Sequence, residues 1–300
     1  MPFKDKLEAV CEKCSDATKK VYLQNIKRLY RFFDPEGAVP MTGTWLNSDK
    51  VLKQYKALPF SKRRALSVGA VKACRAYGMN SDTWYKRLVD DQDKYRANRN
   101  KNKRSSEEAQ KMLKGGVKEL KKMASEFKRQ INRELGTTPT LKGLYKYQMY
   151  LAMRLFVELP FRNDFPTFQV SGQEGNYIIY QKKKKATFVV TKYKNSDRLG
   201  PRKVEITAAL TRALKSFLKY RAPLVTHSFL FSGVKGKPMT KPSFSKAFHK
   251  ITLDRSGKSF GSRILRIMHA TENADLIEKS SDLTNKMLHT APQTKQYIKK

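Results

Sequence analysis

An excess of 37 positive charges constrains this chain more than any other feature: 63 lysines and arginines stand against 26 aspartates and glutamates in 300 residues. Holding so many like charges in a compact body costs self-repulsion. A polyanion relieves that cost by neutralising the charges and releasing its own counterions. Nucleic acid is therefore the first partner expected, ahead of an anionic membrane surface. Apolar residues make up 39% of the chain, with 16 Phe and 14 Tyr, so a packed core is expected rather than a disordered basic tail.

Other classes fall away quickly. No stretch of 18 residues is free of charge, so no transmembrane helix is expected. The opening MPFKDKLEAVCEKC carries acids and no apolar run, unlike a secretory signal. Cys11 and Cys14 have C-x-x-C spacing, and Cys74 stands apart. No second pair and no close His completes four ligands, so no metal is expected and both read as ordinary helix positions. An odd number of thiols fits an intracellular setting.

Along the first third, helix starts are well marked. Ser15 or Asp16 opens a run in which Tyr22, Ile26, Leu29, Tyr30 and Phe33 recur at helical spacing. Ser48 or Asp49 opens a second helix. Ser61 opens a third, through Leu66, Ala70, Ala73 and Tyr77 to a stop at Gly78, and Ser81 or Asp82 a fourth with Trp84 and Leu88. Residues 91–104, DQDKYRANRNKNKR, are polar and predict a linker. Ser105 and Glu108 then have the spacing of a capping box. The chain thus divides into a helical domain over 1–100 and a larger domain over 101–300.

The larger domain opens with helices. Leu141, Leu144, Gln148, Leu151, Ala152, Leu155, Phe156 and Leu159 mark one face of a helix that stops at Pro160. Residues 177–181, 186–191 and 204–206 read as three strands of an antiparallel sheet. Further helices are expected near Leu210 to Leu218, Phe244 to Ile251, 262–273 and 281–289. The fold class is mainly α with a small antiparallel sheet.

Phosphodiester transfer needs a nucleophile, a way to stabilise charge on the reacting phosphate, and a proton for the leaving oxygen. Arginine suits the second task because its planar fork donates to two oxygens and keeps its charge. Tyrosine suits the first when the nucleophile must later leave again. Lysine or histidine can supply the proton. The chain carries these groups in order: Arg162 in ELPFRNDF, Lys192 and Lys194 in VVTKYKNSDRLG, Arg266 in GSRILRIMHATE, and His289 and Tyr297 in MLHTAPQTKQYIK.

That order resembles the tyrosine recombinase (phage-type integrase) family, which runs Arg, a hairpin Lys, His-x-x-Arg, a His or Trp, then Tyr. Leu288-His289-Thr290 through Gln296-Tyr297 is the most specific match, followed by SRILRIMHATE, with FLFSGVKGKPMT between the motifs. The resemblance covers roughly residues 110–300; the N-terminal helices match only in general character. Among subfamilies it is most similar to integrases of viruses and mobile elements.

The resemblance implies a helical core-binding domain and a tyrosine-recombinase catalytic domain closing as a C-shaped clamp on double-stranded DNA. Arg162 and Arg266 would hold the non-bridging oxygens of the scissile phosphate. Tyr297 would attack it, leaving a 3′-phosphotyrosine and a free 5′-hydroxyl. Lys194 would protonate the leaving oxygen; Lys192, two residues earlier, is the alternative. Lys194 is favoured because Lys-Asn-Ser resembles the family's Lys-Thr at the start of a turn. His289 would hydrogen-bond the phosphate or steer the tyrosine proton. No metal, ATP or other cofactor is implied, and a homotetramer on DNA is.

Three departures stand out. Arg263 takes the place of the His in His-x-x-Arg, and arginine donates hydrogen bonds but is no base near neutral pH. Asp164 stands where a carboxylate follows the first arginine, at slightly different spacing. Only Ile298, Lys299 and Lys300 follow Tyr297, so subunit exchange through a C-terminal tail is expected to be absent, differently built or carried by residues beyond this sequence.

Nine Lys or Arg and one acid, Asp197, lie between Gln181 and Lys203. Lys182, Lys183, Lys184 and Lys185 are expected at a hairpin turn against the DNA backbone, with Arg198 and Arg202 beside them. His269, one turn past Arg266, reads as structural. Two rivals share these features: a type IB topoisomerase and a non-catalytic DNA-binding protein. The first usually has more chain between the second arginine and the His than the 23 positions here. The second has no need of a terminal tyrosine.

Overall fold

The computed structural model describes residues 3–101, 103–136, 138–181, 184–274, 287, 297 and 298. The chain divides into two compact units, residues 1–101 and 102–300.

The first unit is helical: α1 (Phe3–Ala9), α2 (Asp16–Tyr30), α3 (Asp49–Ala57), α4 (Phe60–Ala76) and α5 (Asp82–Asn100). Side-chain caps set two of the starts, with Ser15 accepting from Thr18 N and Ser48 from Val51 N. α1 was not expected. Its Phe3 and Leu7 are buried with Cys11, which places Cys11 and Cys14 in a turn after the helix rather than at helix positions. α2 stops at Tyr30, short of Phe33, because Asp34 turns the chain by accepting from Glu36 N and Gly37 N. α4 starts at Phe60, one residue before the expected Ser61, with Pro59 at its N-cap.

The boundary between the two units falls within the stretch 91–104 expected as a linker, but that stretch begins as helix. Residues 91–100 continue α5. A buried polar network explains how so polar a stretch is held. Asp91 is 3% exposed and accepts from Arg63 Nη2 at 2.6 Å and from Tyr55 Oη at 3.0 Å. Burial, with this carboxylate as hydrogen-bond partner, pushes the Tyr55 phenol up to about 12. The Tyr55 ring packs edge-on against Trp84 at 5.0 Å. One buried acid among exposed ones is invisible to a count of apolar residues.

The second unit runs α6 (Ser106–Lys111), α7 (Gly116–Glu134), α8 (Leu141–Glu158), β1 (Phe168–Gln169), β2 (Asn176–Ile179), β3 (Thr187–Val190), α9 (Ser196–Leu199), β4 (Arg202–Glu205), α10 (Ala208–Arg221), α11 (Lys241–Ser256) and α12 (Ser262–Glu272). The architecture is mainly α with one small sheet. The sheet has four strands in the order β1-β2-β3-β4, and it is mixed rather than antiparallel. β2, β3 and β4 pair antiparallel as expected, whereas β1 pairs parallel to β2. Two residues are too few for a periodic signal, and β1 is held from outside by Leu230 N donating to Phe168 O. The helix expected over 281–289 lies outside the described residues, apart from Met287.

The core of this unit is aromatic and surrounds α8. Phe156 meets Phe248 at 4.8 Å and Phe165 at 4.9 Å, and Phe168 meets Phe188 at 4.9 Å. Phe161 and Phe165 are fully buried on either side of Arg162, so packing pins the turn that carries it.

In the first unit, Asp91→Ala removes the carboxylate that pairs with Arg63 and leaves the Tyr55 hydroxyl with Ser67 Oγ as its partner. It is expected to lower stability by about 2–4 kcal/mol. Urea denaturation of the full chain measures this, and a loss under about 1 kcal/mol would show that the network contributes little.

Candidate active site

Arg162 follows the end of α8 in a tight turn. Asp164 N donates to Arg162 O at 2.7 Å, and Thr167 N to Asp164 O at 2.8 Å. Arg162 is partly buried and Asp164 is buried at 5% exposure. The Asp164 carboxylate accepts from Lys241 Nζ at 2.5 Å. Lys241 is the first residue of α11, and its side chain is half-exposed.

Arg266 sits in the second turn of α12, flanked by buried Ile264, Leu265, Ile267 and Met268. It is only 3% exposed, rare for an arginine. Its guanidinium carbon lies 4.4 Å from the centroid of the Tyr297 ring. Burial pushes Arg266 down to about 10; the Tyr297 phenol, which also hydrogen-bonds it, and the Asp164 carboxylate raise it, while the Arg162 charge lowers it. It therefore stays protonated at neutral pH. Arg162, Asp164 and Tyr297, which come from two other segments of the chain, are thus each close enough to act on Arg266. Tyr297 is partly buried beside Ala270 and Met287.

Arg263 lies one turn before Arg266. Its Nη2 donates to Glu108 Oε1 at 2.5 Å, and the side chain is otherwise exposed. Glu108 is buried, and its Oε2 also accepts from Ser105 N, closing the expected capping box. The same carboxylate thus caps α6 and holds the start of α12. His269 is a structural anchor, its Nε2 donating to Phe156 O at 2.7 Å.

Lys192 and Lys194 lie beyond the end of β3, in the turn before α9, and both are exposed. Strand alternation therefore does not govern their directions. Between them Tyr193 is buried, its Oη donating to Gly200 O. Lys182, Lys183 and His289 fall outside the described residues. Lys184 and Arg198 are exposed, and Arg202 opens β4 partly buried. Lys185 pairs with Glu205 at 3.0 Å, both exposed.

Sequence reasoning missed Lys241, and it missed Glu108 as the partner of Arg263. The Ser105/Glu108 spacing showed the cap, but nothing local shows where the second carboxylate oxygen goes. Among the described residues no group of three or more His, Cys, Asp or Glu could hold a metal ion. None of their helices is long and apolar enough to cross a membrane.

A buried arginine against a phenol, with a second arginine and a carboxylate in electrostatic reach of it, forms a site suited to an oxyanion. No family model matches the chain, and no curated protein matches it. Among solved structures it is similar to XerA recombinase, at 15% identity over 98% of this chain and 92% of that one, with a TM-score of 0.41.

The partners of Asp164 are expected to respond unequally. Asp164→Ala removes the buried carboxylate near Arg266 and should cost about 2–4 kcal/mol. Lys241→Met removes a half-exposed cation and should cost less than about 1 kcal/mol. Chemical denaturation of both variants tests the ranking; equal losses would place the energy in the Lys241 pair itself.

Proposed function

We propose that this protein cleaves and rejoins DNA as a tyrosine recombinase, through a covalent bond between Tyr297 and a 3′-phosphate. The observation that carries the reading is the buried Arg266 guanidinium against the Tyr297 ring. Phosphoryl transfer needs an arginine and a nucleophilic phenol on one phosphorus, and this pairing brings the two together.

In this reading Arg162 and Arg266 hold the two non-bridging oxygens. Asp164 balances part of their charge and orients them. Tyr297 Oη attacks the phosphorus, and the P–O5′ bond breaks. Lys194, or Lys192 in its place, gives the departing oxygen a proton. Arg263 donates to the phosphate or to its flank rather than acting as a base. His289 completes the set on the phosphate or the tyrosine proton. The phosphotyrosine conserves the energy of the broken bond, so a 5′-hydroxyl from another strand reverses the step without ATP.

Residues 1–100 would serve as the core-binding domain and 101–300 as the catalytic domain. Double-stranded DNA is the partner, gripped through phosphates by the basic surface, with Lys184, Lys185, Arg198 and Arg202 among the contacts. A homotetramer on two duplexes would carry out the exchange inside the cell, wherever the target DNA lies. By its resemblance to integrases of viruses and mobile elements, the chain would carry out the integration of such an element.

A nicked suicide substrate run on a denaturing gel tests the chemistry. The wild-type protein should give a covalent adduct. Tyr297→Phe should bind the DNA with unchanged salt dependence and give none, because the ring that covers Arg266 remains. A covalent band in that variant would overturn the nucleophile. Arg266→Ala should slow adduct formation about 100- to 1,000-fold. Relaxation of any supercoiled plasmid without defined junction products would replace recombination with topoisomerase action.

A further inference from the structure

The proton donor in the reading above is a lysine in the turn after β3. Thr191 Oγ1 and Tyr193 Oη tie that turn to Gly175 O and Gly200 O, and one buried residue from another strand, Asn176 at the start of β2, holds the backbone where it enters the turn. Asparagine is a poor strand residue and costly to bury. Here it is 2% exposed and uses its amide in full. Oδ1 accepts from Thr191 N at 2.9 Å and Lys192 N at 2.8 Å. Nδ2 donates to Lys192 O at 2.9 Å and to Thr167 Oγ1 at 2.8 Å. The four bonds also fix which end of the amide is which, since a flipped amide would set donor against donor.

The place of these bonds matters. The β2–β3 ladder runs from Ile179↔Thr187 to Tyr177↔Val189. Thr191 and Lys192 lie just past it, where the backbone of β3 leaves its partner. The Asn176 amide takes over from the ladder there and sets the direction in which the chain enters Lys192–Lys194. On its other side, Thr167 Oγ1 donates to Asp164 O at 2.7 Å. Asp164 lies two residues after Arg162 and in reach of Arg266. A continuous hydrogen-bonded path therefore joins the backbone of the lysine turn to the arginine turn.

We propose that Asn176 is a positioning residue that fixes the proton-donating lysine turn relative to the arginines holding the phosphate. This inference rests on the strand-cleavage reading. In that step the Tyr297 Oη–P bond forms and the P–O5′ bond breaks. The phenol loses one proton and the 5′ oxygen gains one, so no oxidant, reductant or cofactor is consumed. A misplaced lysine slows the protonation of O5′ and leaves phosphate binding intact.

A substrate with sulfur in place of the bridging 5′ oxygen separates the two effects. A thiol of pKa about 8.5 leaves as thiolate without a proton, which an alkoxide does not. Asn176→Ala and Thr167→Val are compared with wild type at saturating DNA on both substrates. Thr167→Val keeps the volume and removes only the bridging hydroxyl, so it decides the matter if the alanine variant fails to fold. On the oxygen substrate, adduct formation should fall about 30-fold for Asn176→Ala and about 10-fold for Thr167→Val, part of what a general acid supplies. On the sulfur substrate both should stay within about 3-fold of wild type, with DNA affinity unchanged. Equal losses on both substrates, or no loss with Thr167→Val, overturn the inference while wild-type cleavage stands. Absence of adduct from the wild-type protein on either substrate overturns the strand-cleavage reading, and this inference with it.

Discussion

Burial of the Arg266 charge is the constraint that the rest of the second unit answers to. An arginine at 3% exposure loses most of its hydration, and only nearby negative or π-electron density offsets the loss. Tyr297 and Asp164 supply it. The helix that carries Arg266 is fixed along its whole length to keep that geometry. Glu108 holds Arg263 at its start, Phe156 O holds His269 in its middle, and Glu272 accepts from Val117 N at its end. The last contact explains Gly116, which has φ +56 and whose Cβ, if it had one, would collide with the Glu272 carboxylate. Glycine there both permits the left-handed turn and makes room for an acid at the N-terminus of α7, where the helix dipole favours it.

The charge arrangement is informative beyond its sign. In a chain of +37, acids are scarce, and several of those present are spent in burial rather than on the surface. Asp91, Glu108 and Asp164 are all buried and each holds a basic partner. Their cost of desolvation is offset by paired, hydrogen-bonded geometry. Around the candidate site this leaves Arg266 and Lys241 acting on one carboxylate, with Arg162 two residues before it in the chain. Arg162 disfavours the charged form of Arg266, so an arriving oxyanion would relieve a repulsion already present.

Much of this was legible in the sequence, for reasons that differ by element. Ser15, Ser48 and Ser105 cap their own helices within three residues, and a local bond leaves a local signal. The helix α8 was readable because apolar residues recur with the helix period, though Leu141 of the expected face is exposed and Tyr147, Met149, Tyr150 and Met153 off that face are buried too. The approach of Arg266 to Tyr297 could be anticipated only through resemblance to a family, since no periodicity links positions so far apart. Three features were not readable. β1 has two residues and no alternation. Residues 91–100 are helical because of one buried acid, Asp91, whose partners lie on α3 and α4. Lys241 meets Asp164 across 77 positions, and at its own place it looks like any first-turn lysine.

The Lys192–Lys194 segment shows why turns at a site resist sequence analysis. A strand rule requires a strand, and β3 ends at Val190. What replaces the ladder is a side chain, Asn176, that belongs to another strand and looks in the sequence like a weak strand start. Where a backbone leaves regular pairing, its donors and acceptors still need partners, and a buried amide with two of each can supply them. The Thr167 hydroxyl extends the same logic to the arginine turn, which Phe161 and Phe165 pin from the other side by packing alone. Packing thus fixes where the arginine turn is, and polar ties fix where the lysine turn lies relative to it. Shape without the ties would leave the lysine turn free to drift by the ångström or so that would matter to proton transfer in the proposed reaction.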